Sequence, residues 1–217
     1  MKTLIVSGGN INSDFALAFC GKHSFDCIIG VDNGLKFLYE NGIRPTHIVG
    51  DFDTAKPELV DYYRKQKEIV IRTFDPVKDS TDTQIAIELA LELRSNSITI
   101  LGGTGSRLDH VLGNIQSMML AQKAGADCEL LDEHNRIRLL SENLVIRKSE
   151  QYGAFVSLIP LTTEVTGVDL IGFKYPLENY TFTSTGSCGL GVSNEIAAEE
   201  AEIRMQSGVF ILVESRD

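Results

Sequence analysis

The sequence predicts an α/β fold in which an N-terminal, mostly parallel sheet flanked by helices is followed by a smaller all-β antiparallel sandwich domain. Up to about residue 132, short apolar runs alternate with helical patterns, which is typical of a parallel sheet with helices on both faces. Beyond that point the helical periodicity fades. Short β-branched or aromatic runs punctuated by Gly and Asn then indicate an antiparallel sandwich. We therefore predict two domains, residues 1–132 and 133–217.

The first domain is predicted to be Rossmann-like because strands and helices alternate along it. Each predicted strand is a short apolar run, and each predicted helix shows apolar residues at helical spacing. Strands are predicted at 4–7, 27–30, 47–50, 69–73, 97–101 and 128–131, and helices at 13–21, 34–41, 57–67, 81–93 and 109–124.

The second domain is predicted to contain strands only, at 136–140, 144–146, 154–159, 164–168, 180–183, 202–206 and 209–213. Ser207-Gly208, between the last two runs, predicts a tight hairpin turn. The segment 184–195 is rich in Gly and Ser and is a poor strand, and its composition alone is typical of a flexible surface loop.

Composition narrows the class of protein. The chain has 217 residues, 43% of them hydrophobic and 23% charged, as in an ordinary globular protein. A net charge of −10 argues against nucleic acid as a partner, because binding to phosphate backbones needs a basic face. The four cysteines form no C-x-x-C pair, and the four histidines show no zinc spacing. The first apolar run is too short for a signal peptide or a membrane span, so we expect a cytoplasmic protein with no membrane partner.

Two carboxylates follow the third predicted strand, in Gly50-Asp51-Phe52-Asp53. Residues i and i+2 of an extended chain point to the same face, so Asp51 and Asp53 are expected to aim at one spot. Mg²⁺ prefers oxygen ligands and is often held by one or two carboxylates together with substrate phosphates. The alternative is a pair of solvated loop charges.

A second acidic segment, Lys78-Asp79-Ser80-Thr81-Asp82, opens the fourth predicted helix. Asp79 is a good N-cap, with Asp82 three residues later in a variant of the capping box. Because a helix N-terminus also gathers phosphate and its metal, we predict Asp82 as a third metal ligand and Lys78 as a cation facing phosphate.

A glycine turn, Gly102-Gly103-Thr104-Gly105, joins the fifth predicted strand to its helix. Such turns bring backbone N–H groups up to phosphate, although this one is neither a Walker A loop nor G-x-G-x-x-G. Arg107 is well placed for a bidentate phosphate contact. Asp109 and His110 have a structural alternative: Asp109 is equally suited to cap the helix, and His110 to lie on its surface. The residues that follow predicted strands should collect at one rim of the sheet; they are Asp32, Asp51, Asp53 and Gly102.

These motifs resemble those of the thiamine pyrophosphokinases, in order and spacing, over nearly the whole chain. The motifs that carry the resemblance are Asp32-Asn33-Gly34, Gly50-Asp51-Phe52-Asp53-Thr54, Asp79-Ser80-Thr81-Asp82, Leu101-Gly102-Gly103 with Arg107-Leu108-Asp109-His110, and Ser193-Asn194-Glu195. The resemblance implies transfer of a diphosphoryl group from ATP to the hydroxyl of thiamine, dependence on Mg²⁺, and a homodimer with the thiamine pocket at the subunit interface.

The resemblance also implies roles for individual residues. Metal ligands would be Asp51, Asp53 and Asp82, which together with Arg107 would carry catalysis. Nucleotide contacts would come from Asp32, Asn33, Gly34, Lys78, Gly102, Gly103, Arg107, Asp109, His110 and Asn114. Thiamine contacts would come from Asp79, Ser193 and Asn194.

One departure and two alternatives accompany this interpretation. Some members of the family stack a tryptophan on thiamine, whereas this chain has no Trp, so another aromatic side chain or an aliphatic one such as Leu190 could take its place. Asp51-Phe52-Asp53-Thr54 also fits the nucleophile loop of haloacid-dehalogenase-like phosphatases, although in those enzymes the loop follows the first strand. The other alternative is a nucleotide sensor that has kept the fold without turnover.

Overall fold

The fold is described from a computed structural model over residues 1–50, 57–73, 80–105, 107–187 and 189–217. Within these ranges the chain divides into two compact units, an N-terminal unit (residues 1–133) and a C-terminal unit (residues 134–217). Their elements confirm the predicted fold class: a parallel sheet with helices, followed by antiparallel sheets.

The N-terminal unit alternates strands and helices as predicted, with element ends within three residues of the expected ones. Its elements are β1 (Lys2–Val6), α1 (Ser13–Lys22), β2 (Cys27–Val31), α2 (Gly34–Glu40), β3 (His47–Gly50), α3 (Pro57–Arg64), β4 (Val70–Thr73), α4 (Asp82–Glu92), β5 (Ser97–Leu101), α5 (Leu108–Lys123) and β6 (Asp127–Leu131). No helix in the described ranges is long and apolar enough to span a membrane.

Strand β1 lies inside the parallel sheet of this unit, whose order is β6-β5-β1-β2-β3-β4. Leu4, Ile5 and Val6 have no exposed surface, because the strand is covered on both faces and pairs on both edges. From β1 the chain adds β2, β3 and β4 on one side and then β5 and β6 on the other. The strand order therefore reverses between β1 and β5. Ligands of open α/β sheets bind at the carboxyl ends of the strands beside such a point.

The C-terminal unit contains β7 (Asn135–Leu140), β8 (Leu144–Arg147), a short 3-10 helix (Lys148–Glu150), β9 (Phe155–Pro160), β10 (Glu164–Ile171), β11 (Leu177–Thr183), β12 (Asn194–Glu195), β13 (Glu200–Arg204) and β14 (Phe210–Ser215). Its strands form two antiparallel sheets, β12-β9-β14-β7 and β11-β10-β13-β8. Phe182 of β11 and Phe210 of β14 meet edge to face between the sheets, with ring centroids 5.1 Å apart. The predicted sandwich is therefore correct.

The predicted hairpin at Ser207-Gly208 is wrong. Strand β13 pairs with β8 and β10, whereas β14 pairs with β7 and β9, so the residues between them carry the chain from one sheet to the other. Gly208 has a φ of +98°, a conformation that glycine adopts without strain. Ser207-Gly208 lies between β13 and β14, but the pairing of these two strands with other strands shows that it does not join them in a hairpin.

Helix α2 begins at Gly34, whose backbone lies against the end of β1. Only glycine fits at this position. A Cβ at Gly34 would lie 2.1 Å from the carbonyl oxygen of Val6 and 2.9 Å from that of Ser7. Gly113, inside α5, has nothing within 4 Å of the same added atom. A side chain therefore has room at Gly113 and none at Gly34.

We predict that Gly34→Ala destabilises the chain by about 1–3 kcal/mol, because the methyl group overpacks a site closed by backbone. Gly113→Ala should stabilise it by about 0.5–1 kcal/mol, because alanine restricts the unfolded chain and favours helix. Urea denaturation of both variants measures the difference. Equal effects from the two substitutions would contradict the close packing at Gly34.

Candidate active site

The carboxyl ends of β1 and β5 are joined beyond the strands by backbone hydrogen bonds. The N–H of Ser7 donates to the carbonyl of Leu101 (2.8 Å), that of Gly9 to Gly102 (2.9 Å), and that of Asn10 to Thr104 (3.1 Å). A Cβ at Gly9 would lie 2.2 Å from the carbonyl oxygen of Thr104, so the two loops touch only because glycine is present. Sequence reasoning missed this first loop, although Gly8-Gly9 directly after a strand was a visible signal.

The predicted glycine turn packs closely against the end of β1. Gly102 has a φ of +68°, and a Cβ there would lie 2.4 Å from the carbonyl oxygen of Ser7. Asn114 of α5, only 5% exposed, donates its side-chain N–H to the carbonyl of Gly103 (2.8 Å). Asn114 thus supports the turn from behind, whereas the sequence interpretation had it contact nucleotide.

Asp32, Asn33 and Gly34 form the turn between β2 and α2 at the same rim. Asp32 has a φ of +44°, in the left-handed region that Asp and Asn tolerate better than most residues. Its side chain is half-buried, and that of Asn33 is exposed. The turn therefore presents a carboxylate and an amide at the end of β2.

A cavity of about 760 Å³ opens beside this turn, a size typical of small-molecule sites. It brings together the loops that follow β1 and β2 with residues of α2 and α3. Polar side chains around it can orient a ligand, and the aromatic ring of Phe37 gives it an apolar wall. Residues from these elements include Gly9, Asn10, Asp32, Asn33, Lys36 and Phe37.

Helix α4 starts at Asp82, and its N-cap is Thr81, whose Oγ1 accepts the N–H of Gln84 (3.2 Å). The prediction of Asp79 as the N-cap is therefore wrong: the helix begins two residues later than that cap required. Asp82 is the first helical residue and is half-buried. The next residue, Thr83, is hydrogen-bonded through Oγ1 to Oγ of Ser7 (2.6 Å), which brings the first turn of α4 to the end of β1.

Arg107 and Asp109, at the start of α5, form a bidentate ion pair. Nε and Nη2 of Arg107 lie 3.2 and 2.6 Å from the carboxylate oxygens of Asp109. The hydrogen bond from Arg107 lowers the pKa of the Asp109 carboxyl, and Asp109 in turn raises the pKa of Arg107. The helix begins at Leu108, with Arg107 at the N-cap position, so the alternative of Asp109 as cap is wrong. His110 is exposed on the first turn, as that alternative expected.

Four other predicted site residues, Asp51, Asp53, Lys78 and Asp79, lie outside the described residues. Across the ranges that are described, no group of three or more His, Cys, Asp or Glu side chains is close enough to hold a metal ion. The rim thus brings together Asp32, Asp82 and Gly102 around the end of β1.

In the C-terminal unit, Asn194 holds the backbone around Tyr175. Its side-chain N–H donates to the carbonyl of Tyr175 (2.9 Å), and its Oδ1 accepts the N–H groups of Tyr175 (3.1 Å) and Glu195 (2.9 Å). Asn194 is 5% exposed, so its amide serves the protein backbone. This role was missed, because a sequence does not tell whether an amide faces backbone or ligand.

Ser193 and Tyr175 are the exposed members of this corner. Ser193 has a φ of +58°, and its N–H donates to Oγ of Ser157 (3.0 Å). The Tyr175 ring is 58% exposed, with Nζ of Lys174 5.6 Å from its centroid. An exposed ring on a fixed backbone is a ready contact for a flat or cationic ligand.

Two family models match the chain. The model described as "Thiamin pyrophosphokinase, catalytic domain" matches residues 22–130, and "Thiamin pyrophosphokinase, vitamin B1 binding domain" matches residues 142–210. A thiamine pyrophosphokinase of Bacillus subtilis (strain 168) is 33% identical over 223 aligned residues, which cover 100% of both chains.

The chain belongs to the thiamine pyrophosphokinase family. Solved thiamine pyrophosphokinases share its fold. The Bacillus subtilis crystal structure has a TM-score of 0.86 at 30% identity and covers 100% of each chain. That of Geobacillus thermodenitrificans has a TM-score of 0.84 at 29% identity, covering 100% of this chain and 98% of its own. The yeast enzyme, 17% identical with a TM-score of 0.75 over 99% of this chain and 86% of its own, shows the fold alone.

Thiamine pyrophosphokinases are ATP:thiamine diphosphotransferases, and this is the activity of the chain. The family uses ATP and a divalent metal ion, and the C-terminal match is to its vitamin B1 binding domain. The phosphatase alternative is therefore wrong, and so is the sensor without turnover.

Proposed function

We propose that the rim around the end of β1 binds ATP with Mg²⁺, and that thiamine attacks there. The observation that carries the proposal is that Asp32 lines a cavity of about 760 Å³ at the end of the sheet where the turn at Gly102 and the first turn of α4, which carries Asp82, both contact the end of β1. Aspartate carboxylates are the hard oxygen donors that suit Mg²⁺. In this proposal Asp82 holds the cation together with Asp51 and Asp53.

The reaction needs positioning and charge neutralisation more than covalent chemistry. The hydroxyl oxygen of thiamine attacks the β-phosphorus of ATP, and the bond from that phosphorus to the α–β bridging oxygen breaks. AMP leaves with that oxygen, and the hydroxyl proton passes to a base at the rim. Bound Mg²⁺ would supply neutralisation of phosphate charge. Arg107 and Lys78 would bind the non-bridging oxygens of the phosphates.

Residues with supporting roles complete the proposed nucleotide site. Asp32 and Asn33 would contact the nucleotide in the cavity, and the backbone N–H groups of the turn at Gly102 and Gly103 would face its phosphates. Gly34 permits the approach of α2, and Asn114 keeps the turn in place. His110 and Asp109 lie on the exposed first turn of α5, with Asp109 orienting Arg107 through their ion pair.

The metal assignment predicts that Asp51→Asn, Asp53→Asn and Asp82→Asn each lower turnover by about 100-fold or more, because each removes a charge from a preorganised site. The assay is formation of AMP and thiamine diphosphate from ATP, with and without thiamine. Asp127→Asn, an exposed aspartate at the start of β6, is the matched control and should keep wild-type turnover. Near wild-type turnover of Asp82→Asn at saturating Mg²⁺ would show that Asp82 is not a ligand.

For the thiamine pocket we propose Tyr175 as the aromatic contact in a chain without tryptophan. Ser193 would lie beside it, and Asn194 would act by holding Tyr175 in place. The thiazolium ring of thiamine carries a positive charge, which an exposed aromatic face attracts. Asp79, predicted to contact thiamine, keeps that role as a proposal from the sequence.

Tyr175→Ala should raise the KM for thiamine about 3- to 30-fold, the range expected for a lost cation–π contact, and leave the KM for ATP unchanged. Tyr175→Phe keeps the ring and should keep both constants. Steady-state kinetics with each substrate varied in turn makes the distinction. A raised thiamine KM in Leu190→Ala, with none in Tyr175→Ala, would assign the contact to Leu190 instead.

We also propose that the enzyme is a homodimer with the thiamine pocket at the subunit interface. The C-terminal unit exposes several large apolar side chains, and in this proposal the second copy covers some of them. They are Val145, Ile159, Ile171, Leu190 and Val192. A two-fold dimer would then hold two equivalent sites.

A shared pocket predicts complementation between inactive or weakened chains. When Asp82→Asn chains are mixed with Tyr175→Ala chains at low thiamine, the mixed dimers should contribute about a quarter of wild-type activity, on top of what the Tyr175→Ala dimers retain. Half of randomly re-formed dimers are mixed, and each of these has one intact site. Subunit exchange is followed by mass labels and dimerisation by sedimentation. A monomer at working concentration, or no recovery despite exchange, would exclude the shared pocket.

The cysteines support the proposal of a cytoplasmic location. In the described part of the chain, Cys20, Cys27 and Cys128 are free thiols, and burial raises the pKa of each, that of Cys128 to about 12. Buried, protonated thiols are poor nucleophiles and suit a reducing compartment.

A further inference from the structure

Two buried hydroxyl pairs join β1 to the two ends of α4. Ser7 Oγ lies 2.6 Å from Thr83 Oγ1 at the carboxyl end of β1, and Thr3 Oγ1 lies 2.6 Å from Ser95 Oγ at its start. Each of the four residues is at most 5% exposed. Thr83 is in the first turn of α4, and Ser95 lies just beyond its last turn. The pairs are alike in chemistry, length and burial, and differ in which end of the helix they hold.

The remaining contacts of α4 do not fix its position along the strand as closely. Its buried side chains are mainly aliphatic, and it packs on α5, β1, β2 and β3. The ion pair of Glu92 with Arg72 of β4 lies at the surface, in the last turn of α4. Apolar burial depends on area rather than direction, so it tolerates small shifts along the helix axis. A hydrogen bond of 2.6 Å between buried hydroxyls is directional, and breaking it leaves a buried polar group without its partner.

We propose that Ser7 and Thr83 are positioning residues that hold the Asp82 carboxylate at the end of β1 and so set the affinity of the site for its divalent cation. The inference rests on the metal role proposed above for Asp82. Asp82 directly precedes Thr83, so a shift of the first turn moves both. Displacement of a catalytic group by about 1 Å can cost on the order of 100-fold in rate, so the position of this turn matters.

The experiment measures Mn²⁺ binding to the full chain directly, by electron paramagnetic resonance, with a non-hydrolysable ATP analogue present. Thr83→Val keeps the branched shape and removes the hydroxyl, and it should weaken Mn²⁺ binding about tenfold, part of the loss that a misplaced ligand brings. Thr83→Ser keeps the hydroxyl and should bind Mn²⁺ like the wild type. The concentration of Mg²⁺ for half-maximal turnover should change in parallel.

Thr3→Val is the matched control, because it breaks the equivalent pair at the other end of α4, about 16 Å away along an eleven-residue helix. It should lower the melting temperature at least as much as Thr83→Val, since each leaves one buried hydroxyl unpaired and Thr3 also hydrogen-bonds to the thiol of Cys27. It should not change Mn²⁺ binding. An equal loss of Mn²⁺ affinity in Thr3→Val and Thr83→Val would overturn the positioning role and assign the pair to stability alone.

Two further variants make the result decisive. If Thr83→Val does not fold, Ser7→Ala tests the same bond from β1, and wild-type Mn²⁺ affinity in that variant would overturn the proposal. Asp82→Asn tests the metal role itself. If Asp82→Asn weakens Mn²⁺ binding but the hydroxyl variants do not, only the positioning role is wrong. If Asp82→Asn binds Mn²⁺ normally, the metal role is wrong and the positioning role falls with it.

Discussion

The close approach of three backbone segments at the end of β1 is the constraint on which the candidate site depends. The carbonyl oxygens of Val6 and Ser7 are so near Gly34 and Gly102 that any Cβ at either glycine would collide with them. The loops after β2 and β5 can therefore approach β1 only because each has a glycine at the point of contact. Because parallel strands end at one rim, this packing gathers the turns that carry Asp32 and the predicted phosphate loop, and the hydroxyl of Ser7 adds the start of α4.

Local patterns predicted the elements and the fold class, but they did not predict the long-range bonds that order the site. The alternation of apolar runs and helical periodicity in the first 132 residues needs only nearby residues to be recognised. The Ser7–Thr83 bond joins residues 76 apart, and neither residue is unusual in its own segment. The start of α4 shows the same limit: Asp79 and Thr81 are both good N-caps by residue type, and the structure has Thr81 as the cap.

In the C-terminal unit, a polar residue of the predicted thiamine pocket also holds protein backbone. Ser193 and Asn194 lie next to each other in a segment rich in Gly and Ser, and the resemblance to the family implied that both contact thiamine. The Asn194 amide has both a donor and an acceptor, and it uses them on the backbone around Tyr175. Its effect on substrate binding would therefore be indirect, through the ring that it holds.

The place of β14 in its sheet has a consequence for folding during synthesis. This strand follows every other strand of its unit along the chain, yet it lies between β7 and β9. The ribosome must therefore release about 80 residues before the middle of that sheet can close, a nonlocal pairing of the kind that slows folding. The strands of the N-terminal unit are complete by residue 131, so this unit can fold first. Until β14 arrives, β7 and β9 expose unpaired edges, and the nascent chain is then most vulnerable to aggregation.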